Sequence, residues 1–216
     1  GQFHLTEQIR CVIMNYEIKR KRYKKHIMEL KFLRSELSYQ DEVLATAHID
    51  FEIWHRDWCE KNNIDLESLH QEHESQVSKF LSQPNFADLK NQEAGLIVLN
   101  EKKKEQKKKF QKLFKQVAKV THPDKNDGTT LDFKAASAAY ETGDWSMLLQ
   151  IAEQYSILPE DLSEVLPVMK EEAERLKQAI KSNKNMYSWK FQECETEECK
   201  EKLVKQFLKH LFNLEL

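Results

Sequence analysis

From Gln2 to Gln83 the chain contains neither glycine nor proline. A backbone that long without either residue has no ready place for the tight turns that a sheet protein needs, and this favours helix. The apolar residues agree. Leu5, Ile9, Val12, Tyr16, Tyr23, Leu30, Leu33, Leu37, Leu44, Ala47, Phe51, Trp54 and Trp58 fall on alternating steps of four and three. That average of about 3.5 residues is the period of a coiled-coil seam, so the spacing predicts one long helix. Lys19, His26 and Gln40 interrupt the same register. Polar residues on such a seam set register or partner number at some cost in stability.

The remaining punctuation predicts further helices. Asn62-Asn63 is the first break, and a shorter helix follows from Asp65 to about Leu81. Gln83-Pro84-Asn85 ends it, because a proline disfavours helix in the residue before it. The next helix is expected from near Phe86 to Val120, able to fold back on the first as an antiparallel hairpin, with Gly95 as its weak point. Asn126-Asp127-Gly128 is turn chemistry. A helix over Leu131–Glu141 follows, then one from Trp145 to Tyr155 with Asp144 as its N-cap. Pro159 suits the first turn of a helix reaching about Ser182, and Pro167 should kink that helix or mark its start. Ser182-Asn183-Lys184-Asn185 has the composition of a hinge, and a last amphipathic helix covers Thr196 to Leu214. The fold class is therefore all-α: a long N-terminal hairpin or coiled coil over 1–100, a helix-loop-helix unit over 101–155 and a C-terminal helical segment over 156–216.

Several function classes lack their residues. With four glycines in 216 residues there is no glycine-rich phosphate loop, and no nucleophile elbow is present. His70, Glu72, His73 and Glu74 share a helical turn but do not form the HExxH metal pattern, so they read as a solvated face. No enzymatic activity, cofactor or metal is expected. Cys11, Cys59, Cys194 and Cys199 form no CxxC pair and read as free thiols of a reducing compartment. No apolar run approaches the ~20 residues of a membrane span. A cytoplasmic location follows from these two readings. The formal net charge is -2. Nucleic acid is thus not the expected partner, although residues 101–119 hold nine lysines against Glu101 and Glu105.

Those lysines precede the run Thr121-His122-Pro123-Asp124-Lys125. Phe110, Leu113, Val117 and Val120 share one helical face, while Lys108, Lys109, Lys112, Lys115 and Lys119 lie largely off it. One side can bury and the other can steer an acidic partner, or can simply be solvated. Pro123 fixes its own φ and biases His122 away from helix, so the helix stops there. Asp124 then sits on a short loop, where its carboxylate can either meet an arginine in a bidentate pair or cap the next helix. Phe133, Ala136 and Tyr140 fall on one face of that next helix, with small alanines between the aromatics.

This arrangement resembles the J domain of the DnaJ family, in the class that shares only the J domain. The likeness rests on the basic helix from Lys109 through Val120, on His122-Pro123-Asp124-Lys125-Asn126, and on Phe133 through Tyr140. Two family features are missing: Thr121 stands where an aromatic is usual, and no Tyr-x-x-Leu-Gly-Val first helix precedes. The resemblance implies a cochaperone that docks on a DnaK-type (70-kDa heat-shock) chaperone and stimulates its ATP hydrolysis. His122, Pro123 and Asp124 would form the docking loop, with Lys108, Lys112, Lys115, Lys119 and Lys125 around it. Phe110, Leu113, Val117, Phe133, Ala136 and Tyr140 would be the core of the unit. The coiled coil would then bind a client or assembly partner, with homo-oligomerisation as one use of its seam. The rival reading is a structural coiled-coil or scaffold protein with a relic J-like module.

Overall fold

The computed structural model describes the backbone of residues 2–81, 86–124 and 131–216, and the side chains of 13–78, 101–124 and 131–216. The expected break at Gln83-Pro84-Asn85, the Asn126-Asp127-Gly128 turn and Lys125 lie outside those residues, as do the side chains of Leu5, Ile9, Cys11 and Val12 and the surroundings of Gly95.

The described residues form eight helices and no strand, so the fold is all-α. They are α1 (Gln2–Lys61), α2 (Leu66–Leu81), α3 (Phe86–Thr121), α4 (Leu131–Thr142), α5 (Trp145–Gln154), α6 (Leu162–Asn185), α7 (Tyr187–Glu193) and α8 (Glu197–Phe212). Helix α1 runs unbroken for 60 residues, as the absence of glycine and proline leads one to expect. It stops where Asn63 takes a left-handed φ of 57°, a conformation asparagine tolerates better than most residues. The backbone N–H of Ile64 donates to the Cys59 carbonyl at 2.9 Å, closing the end. Asp65 then accepts from the Ser68 backbone N–H at 3.1 Å and starts α2.

Two compact units divide the chain, residues 1–34 with 92–177 and residues 35–91 with 178–216. In the first, Tyr23, Leu30 and Leu33 of the α1 seam and Ile27 beside it are buried, as are Leu148, Leu149 and Met169 of α5 and α6. Polar contacts hold α1 to the same helices. Lys31 pairs with Glu153 at 2.8 Å, and Lys177 with Glu29 at 2.7 Å. Arg34 donates to Ser146 Oγ at 2.6 Å and pairs with Asp144, the residue that caps α5 by accepting from the Met147 N–H at 3.0 Å.

In the second unit Phe51, Cys59, Phe191, Leu203, Val204 and Leu208 form one apolar cluster, with Trp54, Trp58 and Phe207 against it. Gln40, expected as a polar interruption of the seam, is fully buried there. Its amide donates to Glu36 at 3.0 Å, while its carbonyl oxygen has no partner. Among the described residues the seam is thus buried within the chain at Tyr23, Leu30, Leu33, Leu44, Ala47 and Phe51, whereas Tyr16 is exposed.

Four expectations need correction. Pro159 is not in a helix. Asp161 accepts from the Ser163 N–H at 2.7 Å, so it provides the cap and α6 begins after it. Residues 182–185 are not a hinge but the last turn of α6. There Asn183 is buried and its amide donates to Asp41 at 3.2 Å, a long-range partner invisible to local composition. A separate short helix, α7, precedes the last one. Finally, Cys194 and Cys199 are not free thiols but a disulfide. Cys194 caps the end of α7 and Cys199 lies in the first turn of α8, which brings their Cα atoms to 5.5 Å. Cys59 is free and buried, and burial raises its thiol pKa.

Candidate functional site

The basic segment of α3 is held by aromatic stacking. Phe110, 1% exposed, lies against Trp145 with ring centroids 4.6 Å apart and planes 8° from parallel. Phe114 stacks on Tyr140 at 4.5 Å and 7°. The two stacks join α3 to α4 and to the start of α5, and Tyr140 also meets Trp145 edge-on at 6.0 Å. Polar tips are satisfied at the same place. Trp145 Nε1 donates to Gln106 at 3.2 Å, and the Tyr140 hydroxyl donates to the Lys107 carbonyl at 3.3 Å. Lys107 covers the Tyr140 ring at 5.0 Å and pairs with Glu141 at 2.9 Å.

Phe110, Leu113, Val117 and Ala136 are buried, and Phe133 and Tyr140 half-buried. Val120, placed on the same face by its spacing, is instead exposed. Thr121 takes its place as the buried residue. Its hydroxyl donates to the Val117 carbonyl at 2.9 Å, which lets a polar residue occupy the end of the helix core.

The loop begins at His122. Its ring meets Phe133 edge-on at 5.2 Å, so α4 orients it. The Asp124 backbone N–H donates to the His122 Nδ1 at 3.3 Å. Asp124 Oδ2 is 3.4 Å from the same Nδ1. The Asp124 side chain is nonetheless 85% exposed. Its carboxylate stands in water on a bend fixed by Pro123 and by the packed imidazole.

The lysines divide into two groups. Lys108, Lys115 and Lys119 are exposed. Lys112 is also exposed but pairs with Glu160 at 2.6 Å. Glu160 belongs to the segment before α6 that, with Pro159, Asp161 and Glu164, lines a cleft of about 300 Å³ against Lys108, Lys109 and Lys112. Asp161 has its pKa lowered, chiefly by the Ser163 backbone N–H. The structure therefore brings His122, Pro123, Asp124 and Lys119 together at one end of α3. Lys112 lies further back beside an acidic segment.

Sequence reasoning missed Trp145, Phe114 and Glu160. Trp145 carried a readable signal as an aromatic directly after the Asp144 cap. Glu160 carried none, because its meeting with Lys112 depends on how the chain returns after α5. Among the described residues no group of three metal-ligating side chains occurs, and His70 and His73 instead face the Phe212 ring at 4.9 and 5.9 Å. No described helix is long and apolar enough to cross a membrane. Comparison with known proteins found no matching family model, no matching curated protein and no matching solved structure.

Proposed function

We propose that this protein is a J-type cochaperone whose His122-Pro123-Asp124 loop and basic α3 face recruit a DnaK-type chaperone and stimulate its ATP hydrolysis. The observation that carries this reading is the water-exposed Asp124 carboxylate, placed one short bend beyond a lysine-rich helix. A carboxylate exposed to water and paired with none of the described arginines is open to a bidentate arginine on a partner. Lys108, Lys115 and Lys119 would raise the rate of encounter with an acidic surface, an effect that salt screens. The protein would perform no bond chemistry itself. Its contribution would be to stabilise the partner's hydrolysis-competent state, with the other helical surfaces left to hold a client.

The resemblance to J domains in the α3–loop–α4 segment supports the choice of partner. The stacked Phe110–Trp145 and Phe114–Tyr140 pairs support the rigidity that the mechanism needs. Single-turnover ATP hydrolysis by a DnaK-type chaperone tests it. Wild type should accelerate hydrolysis, while Asp124→Asn should bring the rate back to that of the chaperone alone without changing helicity. Undiminished stimulation by the folded Asp124→Asn protein would refute the proposal and leave the unit a structural role.

A further inference from the structure

Helix α1 carries a second apolar row on the side opposite its buried seam. Met28, Phe32, Tyr39, Ile49 and Ile53 are each between 59% and 71% exposed. Together with Ser35, Glu42 and Thr46 they keep unbroken steps of four and three from residue 28 to residue 53. The row follows from one continuous helix and covers about 38 Å of it at the α-helical rise. An apolar row with coiled-coil spacing, left in water, marks an interaction surface.

The charges along α1 indicate its occupant. Residues 13–34 hold eight lysines and arginines against two acids, and residues 35–61 hold seven acids against two bases. A second copy laid parallel would place like charge on like. A second copy laid antiparallel sets each basic half on an acidic half. The row is also its own complement in that orientation. Reversing the helix about the point between Gln40 and Asp41 sets Met28 against Ile53, Phe32 against Ile49, Ser35 against Thr46 and Tyr39 against Glu42. Each layer then occurs twice about a two-fold axis, as an isologous interface requires. Large apolar residues meet in two layers, small ones in the third, and at the centre a phenol donor meets a carboxylate acceptor. The same register brings Lys21 to Glu60 on the row and Arg22 to Asp57 beside it. Lys25 against Arg56 is its like-charge layer on the row, and Glu29 meets Asp50 beside it; Glu52, an existing partner of Arg56 at 2.5 Å, offsets the first and Lys177, a partner of Glu29 at 2.7 Å, the second.

We infer that the protein self-associates through an antiparallel pairing of α1 helices along Met28, Phe32, Tyr39, Ile49 and Ile53. This seam is distinct from the buried one, and its formation does not depend on the cochaperone reading.

Sedimentation velocity on the full chain tests it. The expected result is a species of twice the 25.7 kDa chain mass, weakened by salt. Phe32→Glu combined with Ile49→Glu should return the protein to monomer with unchanged helicity, since both residues face water within the chain. Lys21→Glu alone should weaken the dimer, and adding Glu60→Lys should restore it. Zero-length carbodiimide coupling in a mixture of isotope-labelled and unlabelled chains should join Lys21 of one copy to Glu60 of the other. A chain that stays monomeric at every concentration overturns the inference, whatever other protein the face then binds. So does a dimer indifferent to the double glutamate variant, or one in which an amine-reactive linker joins Lys21 to Lys21 and no Lys21–Glu60 product forms.

Discussion

Replacing Phe110 with alanine tests whether aromatic stacking holds the basic helix in place. Phe110 is 1% exposed and lies 4.6 Å from Trp145 in a nearly parallel stack. Removing a buried phenyl loses its transfer free energy and leaves a cavity, together about 3–5 kcal/mol where neighbours cannot collapse. Here collapse is hindered. Trp145 is tethered by its Nε1 bond to Gln106, and Asp144 before it is held by Arg34. The specific stack adds about 0.5–1.5 kcal/mol, part of which the measured phenylalanine-to-alanine range already includes. The expected loss is therefore about 4 kcal/mol, a large fraction of the stability of an ordinary domain. Urea unfolding followed by far-UV circular dichroism measures it. Leu131→Ala serves as the control, because Leu131 is 75% exposed and should change stability by no more than about 0.5 kcal/mol. A loss below about 1 kcal/mol for Phe110→Ala would show that the stack is incidental and that α3 is held by something else.

Further perturbations report on other parts of the molecule. The Cys194–Cys199 bridge closes a short loop, with a separation of 5 residues, so chain entropy alone assigns it about 2 kcal/mol. The double serine variant should lower the unfolding free energy obtained from urea titration by that amount, and reductant should then have no further effect on it. Gln40→Leu should stabilise the protein by roughly 1 kcal/mol, because it removes a buried carbonyl oxygen that has no partner. Destabilisation would instead assign the amide's bond to Glu36 the larger share. Glu29 has its pKa lowered, chiefly by the hydrogen bond from Lys177. With the folded value below the unfolded one, its contribution is complete above the ordinary carboxylate range, near about 4.3, and is lost as pH falls through the folded value. Glu29→Gln should therefore flatten the acid limb of a stability-against-pH curve while leaving the alkaline limb unchanged.

The relation between sequence and fold differs from one element to the next. Local rules sufficed where a helix end is made by its own residues. Asn62-Asn63 ended α1, Asp144 capped α5 and Thr196 capped α8, each through a side chain or backbone state available within a few residues. They failed where a distant residue supplied the partner. Asn183 reads as hinge composition, but Asp41 satisfies its amide, and the last turn of α6 stays helical. The candidate site shows the same division. The helix, its stop at Pro123 and the exposed acid after it follow from spacing and proline geometry. The Trp145 stack and the Lys112–Glu160 pair needed the return path of the chain.

By itself the amino-acid sequence determined that this protein is helical, where most helices begin and end, and that one of them is long and carries a seam. These properties depend on interactions over three or four residues, which periodicity records directly. Tertiary structure decided what covers that seam, which aromatic faces meet, that Cys194 and Cys199 come within bonding reach, and that a second apolar row on α1 stays in water. Those outcomes depend on which distant helices approach and from which side. Side-chain spacing along a single helix defines a face, but only packing selects what meets it.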